Sequence, residues 1–271
     1  MHDASPSWQD LHARFADAGA AFAFVIPVYN HARNIERVAK VALQSGAPVV
    51  LVDDGSTDET RDRVARLSGA VVVRHPENRG KGAAILTGLA AAAAPPIQAR
   101  FVVTVDADGQ HNPDDARGLL AALWDSGQSG PQSRFVLGHR SDMDQAHVPW
   151  TSRAGRKFSG FWIWASGGPV LADSQSGFRV YPVEETLALP TRARRFEFEV
   201  EVLVHARRAG IPICEVPVTV VYNPPGGRVS HFRPWRDFGR NSATFARLIV
   251  SRLIPRFGRR RQLGKDSAHG T

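Results

Sequence analysis

The chain alternates short apolar runs with helix-length segments four times in its first half, and the runs end on polar motifs. Ala21 to Val28 (AFAFVIPV) closes on Tyr29-Asn30, Pro48 to Val52 (PVVLV) on Asp53-Asp54-Gly55, and Phe101 to Val105 (FVVTV) on Asp106-Ala107-Asp108-Gly109-Gln110-His111. Ala70 to Arg74 is the remaining run. Short apolar runs bounded by turn residues read as buried strands. Strands separated by helices predict a mostly parallel sheet with helices on both faces. In such sheets ligands bind beyond the C-terminal ends of the strands, which is where these polar motifs fall.

The intervening helices carry their own signals. Ile35, Val38, Ala39 and Ala42 recur at helical spacing. Ser56 with Glu59 three residues on has the form of a capping box that opens a second helix. Gly80-Lys81-Gly82 leads into an alanine-rich helix closed by Pro95-Pro96. Asn112 is placed to cap a helix with Pro113 at its first position and Ala116, Leu119, Leu120 and Leu123 as its apolar stripe.

Asp106, Asp108 and Gln110 offer two carboxylates and an amide oxygen in one short segment. Oxygen donors suit a hard cation, Mg²⁺ or Mn²⁺. They do not suit zinc, because no cysteine or clustered histidine stands nearby. The same residues also suit a polar turn after a strand, Asp-Gly being common turn chemistry.

Later elements are less regular. Residues 125–133 are a loop and Arg134 to Gly138 a strand running into His139-Arg140. Phe158, Phe161, Trp162 and Trp164 form an aromatic group whose default meaning is core packing, beside Arg153, Arg156 and Lys157. Asp173 to Arg179 is a polar turn before a short strand. Asp173 is either a general base or the cap of that turn. Phe196 to Val202 (FEFEVEV) alternates as a strand would, yet the segment runs unbroken to Gly210, which favours a helix. Glu197 and Glu199 read as surface charges, and His111 as a structural residue. Pro217 inside the strand Ile213 to Val221 places that strand at an edge or bulge.

Residues 1–20 read as a polar, weakly helical leader, 21–232 as a catalytic domain, 233–261 as a basic amphipathic helical segment and 262–271 as a disordered tail. The basic segment carries Trp235, Phe238, Phe245, Leu248 and Ile249 among its apolar residues and Arg236, Arg240, Arg247 and Arg252 among its cations. Such a segment lies on an anionic membrane or packs on the domain with a solvated basic face, and the concentration of arginine favours the membrane. The net charge of +8 points to an anionic partner. Nucleic acid is not expected, since the basic residues gather near the tail and no RNA-binding aromatic motif is visible. One cysteine, Cys214, excludes a disulfide framework and fits a reducing compartment. The N-terminal residues lack the apolar core of a signal peptide, and no apolar run reaches the about 18 residues that span a bilayer. The expected location is the cytoplasm, peripheral on the inner face of the cell membrane.

Seven motifs, in order from Phe22 to His231, resemble the family 2 glycosyltransferases, and among them the dolichyl- and polyprenyl-phosphate sugar synthases. They are Pro27-Val28-Tyr29-Asn30 with Asn34, Asp53 to Asp58, Asn78 to Gly82, Asp106 to His111, Gly138-His139-Arg140, Asp173 to Arg179 (DSQSGFR) and Glu215-Val216-Pro217. The resemblance implies the glycosyltransferase A fold, a GDP- or UDP-hexose donor, Mg²⁺ or Mn²⁺, and inversion at the anomeric carbon. It implies that Pro27, Tyr29, Asn30, Asp53 and Asp54 line the base and ribose. Asp106, Asp108 and Gln110 would hold the metal on the diphosphate, and Arg140 and Arg153 would face an acceptor phosphate. Lys81 and Arg228 would add charge to the diphosphate, though Lys81 also suits an ordinary solvated helix start. The chain departs from the pattern at His31, where the family has an acid, and at His231, where it has lysine after serine. The function expected is transfer of a hexose to a polyprenyl phosphate or other lipid acceptor at the membrane surface. The alternatives are the same fold acting on a soluble hydroxyl acceptor, or a non-catalytic nucleotide-sugar-binding protein.

Overall fold

A computed structural model describes residues 5–140, 160–220 and 234–253, with side chains of the last segment described from 242 to 252. Its seven strands are β1 (Phe22–Val28), β2 (Val49–Asp53), β3 (Ala70–Arg74), β4 (Phe101–Thr104), β5 (Phe135–Arg140), β6 (Arg179–Pro182) and β7 (Ile213–Val218). They form one sheet in the order β3-β2-β1-β4-β6-β5-β7. The pairs β1/β2, β2/β3, β1/β4 and β5/β7 are parallel, whereas β6 runs antiparallel to both β4 and β5. The mostly parallel sheet expected from the β-α alternation is present. Because β6 is reversed, its first residue, Arg179, lies beside Thr104 at the last of β4. The turn before β6 therefore reaches the same rim as the loops after β1, β2, β4 and β5.

The helices are α1 (Trp8–Asp17), α2 (Ala32–Gln44), α3 (Thr60–Ala65), α4 (Lys81–Ala93), α5 (Ala116–Ala121), α6 (described over 160–165), α7 (Val183–Ala188), α8 (Phe198–Arg208) and α9 (Pro234–Leu253). Residues of α1, α2, α3 and α5 cover one face of the sheet, meeting Phe24, Ile26, Leu51 and Val103. Those of α4 and α8 cover the other, meeting Val25, Val50, Val52 and Val102. Burial on both faces explains why the strands are apolar throughout rather than alternating. Helix α4 approaches β1 closely, since a Cβ on Gly88 would stand 2.3 Å from Val25 Cγ1.

Several local readings change in three dimensions. The weakly helical leader does form a helix, α1, but it is no mere leader: it opens on a capping box between Ser7 and Asp10 and places Leu11 and Phe15 in the core. Ser56 and Glu59 form no capping box. Helix α3 starts at Thr60, whose N–H donates to Asp58, and Ser56 serves the β2 loop instead. The Asn112 cap is present, its side chain accepting from Asp114 N–H, and Ala116, Leu119, Leu120 and Leu123 are fully buried. Pro217 lies on β7, which pairs only with β5 and so forms an edge of the sheet.

The FEFEVEV segment enters α8, as its length and closing glycine favoured. Of the two acids read as surface charges, Glu197 is half-buried and Glu199 is 6% exposed, and the next acid, Glu201, is 1% exposed. Helix α8 is sandwiched between the sheet and α9, where Phe245 and Leu248 pack with Ile163, Val200 and Val204. Glu201 accepts from Arg247 at 2.6 Å and from the N–H groups of Arg192 and Ala193. Of the two readings of the basic segment, the described part of α9 fits packing on the domain. The aromatic group divides: Trp162 packs partly against this cluster, beside the buried Ile163, whereas Phe161 and Trp164 are more than half exposed. Phe158 lies outside the described residues.

Candidate active site

From β1 the chain winds outward through β2 and β3, then crosses to β4 on the other side. The crevice between the ends of β1 and β4 is the topological switch point of the sheet. Tyr29 and Asn30 lie at one lip, both half-buried, and Asp106, Asp108 and Gln110 at the other.

The β1 and β2 loops are tied together. Asn30, with φ of 52°, donates its N–H to Ser56 Oγ at 3.1 Å, and its Oδ1 accepts from Thr57 N–H at 2.9 Å. Asp53 is fully buried and accepts from Ser56 N–H and Arg74 Nε, each at 2.9 Å. Asp54 accepts from Arg79 N–H at 2.9 Å and Gly80 N–H at 2.8 Å, with His75 Nδ1 at 2.7 Å. The carboxylates of Asp53 and Asp54 are thus committed to shaping the loops around the crevice. Pro27 is buried within β1 beside Val52.

Helix α2 clamps the β4 loop. Asn34 Nδ2 donates to the Asp108 carbonyl at 2.7 Å and Arg37 donates to the Gly109 carbonyl at 3.1 Å. Gly109 has φ of 74°, and a Cβ there would stand 2.2 Å from the Arg37 guanidinium. Asp108 Oδ1 accepts from Gln110 N–H at 2.9 Å. Ala107 and Gly109 are buried while Asp106, Asp108 and Gln110 are half-buried, so the oxygen-bearing side chains occupy alternate, more open positions.

Lys81, the first residue of α4, lies between two carboxylates: Asp106 Oδ1 at 2.7 Å and Glu199 Oε1 at 3.0 Å. Burial works against its charge, but the two acids more than offset this and hold the ammonium above its ordinary range. Burial likewise works against ionised Asp106. Lys81, and to a smaller degree His111 and His31, outweigh it and keep the carboxyl below its usual range. His31 therefore belongs to the same crevice. Gly177 completes the arrangement, since a Cβ there would stand 2.4 Å from Asp106 Oδ2 and 2.6 Å from Lys81 Nζ.

The adjoining side of the rim joins three separated motifs. Arg140, the last residue of β5, makes a bidentate pair with Asp173: Nε to Oδ2 at 2.5 Å and a terminal nitrogen to Oδ1 at 2.9 Å. Asp173 is fully buried. Glu215 on β7 accepts from the N–H groups of Asp173 and Ala172 at 3.0 and 2.9 Å. Arg179 is also fully buried and donates to the carbonyls of Ser174, Ser176 and Glu199. Thr104 donates to the Gly177 carbonyl at 2.8 Å, which fixes the turn against β4. His111 stacks on Phe178 at 5.1 Å. Burial lowers its pKa to about 4, so the ring is neutral at ordinary pH.

The fold thus gathers Asp106, Asp108, Gln110 and Lys81 at one rim with the Arg140–Asp173 pair, while Asp53 and Asp54 stand behind it as loop supports. Arg153 and Arg228 lie outside the described residues. Glu199, Arg37, His75 and the supporting role of Glu215 were not singled out from the sequence as site residues. Among the described residues no three His, Cys, Asp or Glu side chains gather into a metal-binding group. The protein's share of a cation's shell would be Asp106, Asp108 and Gln110, all oxygen donors, with substrate oxygens and water completing it. That donor set fits Mg²⁺ or Mn²⁺.

Comparison with known proteins identifies the family and the fold. The model of glycosyl transferase family 2 matches residues 23–187. A UDP-N-acetylglucosamine–dolichyl-phosphate N-acetylglucosaminyltransferase of Methanococcus voltae is 29% identical over 219 residues, which span 73% of this chain and 84% of that protein. A dolichyl-phosphate beta-glucosyltransferase of Trichomonas vaginalis is 27% identical, over 75% of this chain and 67% of that one. Among solved structures, glucosyl-3-phosphoglycerate synthase from Mycobacterium tuberculosis, in complex with Mn²⁺, UDP and phosphoglyceric acid, superimposes with a TM-score of 0.67. It is 22% identical and the match covers 93% of this chain and 84% of that one.

Proposed function

The chain belongs to glycosyl transferase family 2, and from that premise we propose that it transfers a hexose from GDP- or UDP-hexose to a lipid phosphate, with inversion at the anomeric carbon. The observation that carries the choice of acceptor is the Arg140–Asp173 pair. Asp173 is fully buried and both of its oxygens accept from Arg140, so it orients that guanidinium and is poorly placed as a general base. An alcohol acceptor needs such a base. A phosphomonoester, with a second pKa of about 6, is already largely dianionic at neutral pH and needs only cationic groups to place it.

In the proposed reaction an acceptor phosphate oxygen attacks the anomeric carbon from the face opposite the nucleotide. The bond from that carbon to the β-phosphate oxygen breaks, and its electron pair stays on the departing diphosphate. Asp106, Asp108 and Gln110 would hold Mg²⁺ or Mn²⁺, which supplies Lewis-acid neutralisation of that leaving group when bound. Lys81 adds fixed positive charge at the same rim, kept in place by Glu199. Removing one such preorganised group typically costs about 3 kcal/mol of barrier. Asn30 and the Asp53 and Asp54 loops shape the nucleotide pocket, and Pro27, Tyr29 and His31 lie along its wall. Arg153 and Arg228 retain their proposed roles on the acceptor phosphate and the diphosphate.

Relatives that act on dolichyl phosphate support the lipid acceptor. No helix among the described residues is long and apolar enough to cross a membrane, and we place the protein peripherally on the inner face of the cell membrane. The packing of α9 on the domain favours a second reading, a soluble acceptor.

Calorimetry with UDP- and GDP-hexoses, with and without Mn²⁺, followed by transfer assays on polyprenyl phosphate and on hydroxylated acceptors, tests the proposal. Metal-dependent donor binding, and transfer to the phosphate that Asp108→Asn abolishes, is the expected result. Undiminished transfer by Asp108→Asn would overturn the metal assignment. Transfer to hydroxyl acceptors alone would overturn the lipid phosphate.

A further inference from the structure

The described part of α9 spends its apolar residues Phe245 and Leu248 on the domain. Another surface is left open beside it. Phe161 and Trp164 on α6 are 55% and 57% exposed, and Val170 in the loop after α6 is 82% exposed. Exposed groups of this size gathered in one region mark an interaction site more often than scattered ones do. A cavity of about 360 Å³ opens here, and its walls include Trp164, Pro169, Val170, Arg207 and Arg252. No acid lines it.

The patch is held rigidly from below. Arg208 donates to the carbonyls of Ser166 and Leu248, each at 2.7 Å, and Arg252 donates to the Ala165 carbonyl at 3.1 Å. These bonds tie α6, α8 and α9 together at one corner. Arg207 and Arg252 are exposed there. Beyond Leu253 the sequence adds Arg256, Arg259, Arg260 and Arg261 before its next acid, Asp266. Tryptophan and phenylalanine beside arginine are the side chains that settle at the boundary between lipid headgroups and acyl chains. Cations there are drawn to anionic lipid.

We propose that this corner, formed by Phe161, Trp164 and Val170 with Arg207 and Arg252, is the surface that docks on an anionic lipid bilayer. The apolar face of α9 braces it from within. Val170 stands three residues before Asp173, which orients Arg140. The loop that touches the bilayer therefore leads directly into the arm assigned to the acceptor phosphate. The inference deepens the proposed function and takes its biological sense from it, yet the physical contact needs neither donor nor acceptor.

Co-sedimentation of the full chain with vesicles tests it, using phosphatidylcholine alone and phosphatidylcholine containing phosphatidylglycerol. Wild type is expected to bind the anionic vesicles, and to release at high salt. The double variant Phe161→Ser/Trp164→Ser is expected to bind about tenfold more weakly or less. Because those rings touch each other and Trp162, Val170→Glu provides a second variant at a more open position and should weaken binding too. Transfer to a detergent-dispersed short-chain polyprenyl phosphate should be unchanged in both. Wild type that ignores anionic vesicles, or variants that bind as tightly as wild type, would overturn the docking surface while leaving the transfer reaction standing. A wild-type dimer that becomes a monomer in the variants would show instead that the patch joins two copies of the chain. Conversely, vesicle binding without transfer would sink the proposed reaction and leave the docking surface intact.

Discussion

Replacing Gly177 by alanine separates the cost of folding from the cost of catalysis. A Cβ at that position would lie 2.4 Å from Asp106 Oδ2 and 2.6 Å from Lys81 Nζ, whereas ordinary contact begins near 3.4 Å. The carboxylate must retreat by about 1 Å, and the ammonium by slightly less. Both atoms are ends of side chains, so the fold can yield at small cost, about 1 kcal/mol at the low end of overpacking penalties. The atoms that move are those assigned to the diphosphate, where a misplacement of about 1 Å can cost about 100-fold in rate. Gly88→Ala supplies the contrast. Its Cβ would meet Val25 Cγ1 at 2.3 Å, far from the rim, so it should lower stability by about 2 kcal/mol and leave the rate per folded molecule unchanged. Steady-state transfer kinetics with urea unfolding of all three proteins make the test. If Gly177→Ala transfers hexose at the wild-type rate per folded molecule, the placement of Asp106 and Lys81 does not control the reaction.

Two further outcomes follow from charge. Asp173→Asn leaves the Arg140 guanidinium without its buried carboxylate partner; urea unfolding should show a loss of about 3 kcal/mol, and the KM for acceptor should rise more than that for donor. His111 has a folded pKa of about 4 against an ordinary 6.5, so the unfolded chain takes up its proton first as pH falls. The stability it contributes is whole above about pH 6.5 and is lost towards pH 4, on the order of 3 kcal/mol in all. Stability measured against pH in metal-free buffer should show that decline, and His111→Phe should remove most of it.

The strands and the acids at their ends were legible because β1, β2 and β4 are buried on both faces, which forces apolar runs, and the first polar residue marks the rim. The Asn112 cap and the edge position of Pro217 were legible for local reasons, a side-chain oxygen at a helix start and a missing N–H in a ladder. Glu199 and Glu201 were not. Their alternation with Phe198, Val200 and Val202 looks like a half-exposed strand, but α8 is enclosed and each acid meets an interior cation, Lys81 or Arg247. Ser56 was assigned to a helix because its spacing to Glu59 fits a cap, whereas tertiary contacts with Asn30 and Asp53 claim it. The partners of Asp53 and Asp54 were not legible for a similar reason. Their position after a strand marks the crevice, but which donors reach them depends on Arg74, His75 and Gly80, brought in by the next β-α unit.

The reversal of β6 has a consequence for how such a chain can diversify. Since β5 ends and β6 begins on one side of the sheet, everything between Arg140 and Arg179 departs from and comes back to a single edge of the cleft. Insertions at an exposed position such as Val170 leave every strand pairing intact, whereas Asp173 and Gly177 are committed to Arg140, Asp106 and Lys81. Rewriting the exposed part of this one excursion changes what that edge presents, while the loops after β1 and β2 stay as they are.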